Sequence, residues 1–91
     1  MTGNDLSYPE TRLGIAPNPS SSNIRVALGE RFERIIIHNL TGKMVLDESF
    51  EPTLDKELNI EFLQPGVYFV SVETSKGFRQ HARLVKYASG G

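Results

Sequence analysis

His38 and His81 are the only imidazoles in this 91-residue sequence, and cysteine is absent. No disulfide, thiolate metal site or Cys nucleophile is therefore available. The two histidines fall in different predicted strands, so a zinc site would need carboxylates brought in by the fold. Ordinary exposed strand positions account for both more simply. No G-x-S-x-G elbow holds a serine strained and exposed. Gly42-Lys43 lacks the preceding phosphate-loop pattern. Glu57 and Glu61 meet only if their segment is helical, which makes them a poor acid–base pair. No D-x-D-x-D-G loop is present for calcium. Asn39-Leu40-Thr41 fits the N-x-[ST] sequon, but Asn and Thr also suit the entry to a hairpin loop. The sequence thus predicts no enzyme, no metal and no cofactor.

The elements that would position these side chains belong to one domain, since 91 residues leave no room for two. Such a chain buries roughly 60–65% of the surface its unfolded form exposes. Hydrophobic residues make up 38% and charged residues 23%, both ordinary for a folded domain. A net charge of −1 argues against a nucleic-acid binder, which normally shows a strong basic excess. No uninterrupted aliphatic run is longer than that of Ile35-Ile36-Ile37, far short of the ~18–20 residues of a membrane span. Met1-Thr-Gly-Asn-Asp-Leu-Ser has neither the cationic nor the apolar region of a secretory signal peptide, so an export function would need one upstream.

Short strands separated by turn residues run through the sequence. Leu13 to Ala16 stops at Pro17-Asn18-Pro19, where two ladder donors are missing. Asn23 to Leu28 alternates, with Ile24, Val26 and Leu28 on one face. Gly29-Glu30-Arg31 is read as a break. Phe32 to Asn39 follows, with Ile35 and Ile37 inward. Leu40-Thr41-Gly42-Lys43 forms a tight hairpin with Gly42 at positive φ. Lys43 to Phe50 returns and ends at Pro52. Residues 56 to 62 mix helix spacing with the alternation of Leu58, Ile60 and Phe62, and are read as a strand. Pro65-Gly66 turns the chain into Val67 to Thr74, whose Tyr68, Val70 and Val72 oppose Phe69, Ser71 and Glu73. After Ser75-Lys76-Gly77, Phe78 to Lys86 closes the series. About seven strands at roughly 8–12-residue spacing predict an all-β sandwich, with an up-and-down barrel as the topological alternative.

Charge is uneven along these strands. Asp47 to Glu61 carries six acidic residues and one lysine, while Ser75 onward carries four basic residues and no acid. The plain explanation is solvated strand faces paired across an edge, worth ~0–1 kcal/mol per pair. The sharper one is a basic last strand held visible for a partner. Most aromatics are expected in the core; Phe69, opposite Tyr68, is the exception.

Four segments together resemble a known family. They are Ile15-Ala-Pro17-Asn18-Pro19-Ser-Ser-Ser-Asn23-Ile24, Ile35-Ile-Ile-His-Asn39-Leu40-Thr41-Gly42-Lys43-Met-Val45, Leu63-Gln-Pro65-Gly66-Val67-Tyr68-Phe69-Val70, and Arg83-Leu84-Val85-Lys86. Their order and spacing are similar to the type A C-terminal sorting domain of the type IX secretion system of Gram-negative bacteria. None of the four is specific alone; all four in order are.

The resemblance implies an Ig-like antiparallel β-sandwich at the end of a larger exported protein. It implies passage through the periplasm, then placement at the cell surface or secretion. The implied partners are the type IX translocon, outer-membrane shuttle proteins, a cell-surface sortase that typically removes the domain, and the cargo itself. On this reading residues 1 to 12 are a flexible tail or linker from cargo, 13 to 86 the sorting domain, and 87 to 91 a tail. Carried over by position, the motif residues are Pro17, Asn18, Pro19, Gly42, Gly66, Tyr68, Arg83, Leu84, Val85 and Lys86. Arg79, Arg83 and Lys86 are the expected exposed, partner-facing cations. Family signals usually stop near the final lysine, whereas Tyr87-Ala-Ser-Gly-Gly continues here. The competing function is an appended β-sandwich module that binds glycan or protein, for which an exposed row including Phe69 would speak.

Overall fold

Alternating apolar residues do build strands, but fewer and longer ones than the turn signals suggest. The computed structural model describes residues 13–88. The tail expected over residues 1 to 12, and residues 89–91 of the one expected over 87 to 91, lie outside the described residues. Five strands are present: β1 (Gly14–Ala16), β2 (Asn23–Asn39), β3 (Met44–Asn59), β4 (Gly66–Thr74) and β5 (Arg79–Lys86). All strand pairings are antiparallel. The expected count of seven is corrected to five because two expected breaks are bulges within continuous strands.

At the first, Gly29-Glu30-Arg31 does not turn. Ile24, Val26, Leu28 and Phe32 are all buried, so one parity of β2 points inward through the supposed break. The pairing then slips between Phe32 and Arg34, and Ile35 and Ile37 become the inward residues. One extra residue has moved the core-facing set to the opposite parity. At the second, Phe32 pairs Thr53 but Arg34 pairs Ser49, which leaves residues 50 to 52 looped out of the ladder. Pro52 sits in that bulge, where its missing N–H costs nothing. The expected strand over 56 to 62 instead ends β3 at Asn59. Leu58 and Ile60 are buried, but the chain turns (Leu63 N to Ile60 O, 3.0 Å), and Phe62 is 57% exposed.

A straight 17-residue strand would run about 53–56 Å, longer than the 46 Å long axis of the molecule. β2 is therefore coiled over the core. Its first half pairs β1 and the end of β3; its second half pairs the start of β3 and β4, which carries β5. Side chains from both halves form one cluster, including Ile24, Val26, Leu58, Ile37, Val72 and Leu84. Burying that shared cluster is what folds the two halves face to face.

The hairpin between β2 and β3 forms as expected. Gly42 has φ +88°. The Asn39 side-chain oxygen accepts hydrogen bonds from Thr41 N (3.0 Å), Thr41 Oγ1 (2.8 Å) and Lys43 N (2.9 Å). The sequon residues are thus spent on building the turn.

Candidate functional site

Two motif segments that are 65 residues apart meet at the edge of β5. Pro17 and Pro19 have no N–H to offer a neighbouring strand, so the pairing falls to Asn18 and Ser20. The Asn18 amide acts as a substitute peptide group: Nδ2 donates to Arg83 O (2.8 Å) and Oδ1 accepts from Val85 N (2.9 Å). Ser20 N then donates to Val85 O (3.0 Å), and Tyr87 N donates to Ser20 O (3.0 Å). Ser20 is itself 2% exposed, its hydroxyl donating to Asn23 O at 2.9 Å. This latch covers the outer backbone edge of β5 from Arg83 to Tyr87. It also links the chain after β1 to β5, so β1, β2, β4 and β5 approach a closed ring. Covering an edge removes a template for unwanted pairing. Residue 87 belongs to this latch, one residue beyond the expected end of the domain.

Asn18→Ala deletes two of the four latch bonds at a partly wet edge. The expected cost is about 1–2 kcal/mol, with faster hydrogen exchange at the Val85 amide than at core amides such as Val70. Unchanged protection at Val85 would show that the side chain does not hold the strand.

The expectation that Arg79, Arg83 and Lys86 all present themselves on β5 is corrected for Lys86. Lys86 is 3% exposed, and its Nζ donates to Leu63 O at 2.8 Å inside the protein. Parity explains this: Lys86 falls on the same face as Ala82 and Leu84, the core side of β5, at the position opposite Gly66. Its stem lies over apolar surface and its ammonium caps a carbonyl of the turn after β3. Arg79 is exposed but engaged, with Nε and Nη2 each 3.3 Å from a Glu73 carboxylate oxygen. Arg83 is exposed, and among the described residues its guanidinium has no ion pair.

Arg79 ends a charged row across the outer sheet face. Arg34 holds Asp47 through two hydrogen bonds of 2.9 and 2.8 Å and lies 3.5 Å from Glu73, which in turn meets Arg79. The hydrogen bond from Arg34 is the main reason that the Asp47 carboxyl is held below its usual value; partial burial opposes it. Arg34 is raised in return. The acids later in β3 pair back to β2 as well: Arg25 lies 3.5 Å from both Asp55 and Glu57. Asp47, Asp55 and Glu57 of the acidic strand are thus paired by arginines of β2, and among the described residues no ion pair joins β3 to the basic β5.

Two further motif residues lie inside the fold. Tyr68 is buried, and its hydroxyl donates to Gln64 O at 2.6 Å, tying β4 to the Pro65-Gly66 turn. Leu84 is fully buried. His38 and His81 lie on β2 and β5 with β4 between them, so the fold does not bring them together. Ser71 Oγ and His81 Nδ1 are 2.9 Å apart, which satisfies the hydroxyl of a residue that is 8% exposed. No carboxylate orients that imidazole among the described residues, which also hold no metal-binding group of three His, Cys, Asp or Glu side chains. Glu57 is engaged by Arg25 and Glu61 lies in the turn after β3, so they form no acid–base pair.

Fold and edge geometry define a small antiparallel all-β domain whose chain-terminal strand is locked in place from the opposite end of the sequence. The crystal structure of CopC from Methylosinus trichosporium OB3b is similar in fold, with a TM-score of 0.59 at 17% identity over 89% of this chain and 97% of that one. No curated protein matches the sequence. The model of the secretion system C-terminal sorting domain matches residues 14–86. The chain belongs to that family, the C-terminal sorting domains of the type IX secretion system, and its role is in type IX sorting and export. No helix among the described residues is long and apolar enough to cross a membrane.

Proposed function

We propose that this domain is an Ig-like address label: it carries a preceding cargo through the periplasm to the type IX translocon and its outer-membrane shuttle proteins. A cell-surface sortase then cuts in or before residues 1 to 12. The observation that carries this reading is the convergence of the Pro17-Asn18-Pro19 and Arg83-Leu84-Val85-Lys86 segments into one latch. A label must present the same surface on any cargo, and the latch fixes the last strand's register without help from upstream sequence. Arg83 is the cation on offer.

The test joins the whole chain to a fluorescent protein bearing a signal peptide, in a host with this system. Fluorescence is expected at the surface or in the medium. Retention of a folded fusion in the periplasm overturns the reading. A second reading, an appended glycan- or protein-binding module, has one observation in its favour: Phe69 is 44% exposed on the outer sheet face. A lone aromatic suits a protein contact better than a sugar platform. Saturable binding on a glycan array, with the fusion retained, would favour that module.

A further inference from the structure

We propose that Phe69, Arg83 and Met44 form the docking face for the export partner, and that the partner offers a protein loop with an apolar side chain beside carboxylates. This rests on the sorting reading above and names the surface through which it acts. Strand register places Met44, His38, Phe69 and Arg83 in one row across β3, β2, β4 and β5. Phe69 is 44% exposed and Met44 47%, although neither is needed to fill the core. Half-buried Val67 and Val85 pair in the next row and widen the apolar strip. Neither row contains a carboxylate.

The rest of the same sheet face is already satisfied. Its far row, Arg34, Glu73 and Arg79, is neutralised together with Asp47 of the row between. In the row between, Ile36 and Ser71 are 4% and 8% exposed, and the exposed end residues Asp47 and His81 are engaged by Arg34 and Ser71. Among the described residues of this face, only the Phe69 row combines open apolar area with a cation that has no ion pair. Exposed aromatic and arginine side chains side by side are the usual composition of an interface centre, and the unbalanced charge asks for an acidic partner. A second copy of this chain is a poor occupant, because a two-fold contact centred on this row presents the same carboxylate-free row and so no acid for Arg83.

The experiment uses the whole-chain fluorescent fusion and three variants. Phe69→Ser and Arg83→Glu are each expected to cut exported fluorescence at least about tenfold. Phe78→Ser, which alters a still more exposed aromatic (63%) at the β4–β5 hairpin, is expected to leave it unchanged. Melting of the purified variants within a few degrees of the parent shows that folding is intact. If the parent fusion is exported and the two face variants are exported equally well, the docking face is overturned and the sorting reading survives. If the parent itself is retained, the sorting reading falls and this proposal with it. In a second arm, the purified chain is titrated with a synthetic peptide of alternating Asp and Phe, and with its Lys-Phe counterpart. Shifts at the Phe69, His38 and Arg83 amides from the acidic peptide alone are expected. Equal shifts from both peptides overturn the claim of an acidic partner, and so does a dimer in sedimentation that Phe69→Ser abolishes.

Discussion

Phe32→Ala should destabilise this domain by about 3–5 kcal/mol, the range for emptying a buried aromatic site. Phe32 is fully buried at the point where the pairing of β2 slips, opposite Thr53 on β3 and Thr74 on β4. Its ring meets that of Phe50 edge-on, centroids 5.8 Å apart at 86°, and the Lys56 ammonium lies 4.9 Å over the Phe50 ring. The side chain is therefore the filler of the bend, where the backbone ladder is weakest. A domain of this length has only about 5–14 kcal/mol in total, at ~0.05–0.15 kcal/mol per residue. Urea denaturation should show the midpoint falling by at least about 1 M. Phe32→Leu, which keeps most of the volume, should lose much less. Equal, small losses for both variants would mean that the bend is held by its backbone and not by this ring.

The second large effect concerns Lys86. Lys86→Glu places a carboxylate against the Leu63 carbonyl in a site with 3% exposure, and should cost about 3–5 kcal/mol, as an uncompensated buried charge does. Lys86→Met keeps the stem's volume and loses only the bond to Leu63 O, worth about 1–3 kcal/mol. Charge reversal at this position therefore reports on folding, not on recognition. The sharp comparison is the Lys86→Met fusion: a folded product should be exported like the parent. A folded but retained Lys86→Met fusion would show that a partner reads the ammonium directly, and the buried position would then have to open in the cell. Arg83→Glu is the opposite case, since its side chain is exposed and its loss should change export with little change in melting.

These two residues also show what could be read in advance. The parity of β5 was already legible: Ala82, Leu84 and Lys86 alternate, so the inward position of Lys86 was implied by the pattern that placed Leu84 in the core. A lysine's charge argues for exposure, and that argument conflicts with parity; the carbonyl of Leu63, 23 residues earlier, settles it. The same kind of conflict explains the two missing strand ends. Gly29 and Pro52 are turn-forming types, and a bulge tolerates both without ending a strand.

Apolar alternation, Gly42 at its hairpin and four ordered motifs were enough to define the β class, most of the inward faces and the family, because those depend on neighbours along the chain. What the tertiary structure alone decided was the fusion of seven segments into five strands, the Asn18 latch on β5, and the row joining Met44 to Arg83. The latch and the row join residues from strands or turns remote in sequence, the fusions depend on pairing with other strands across the bulges, and a one-residue slip of any one strand would have moved its member of that row to the other face.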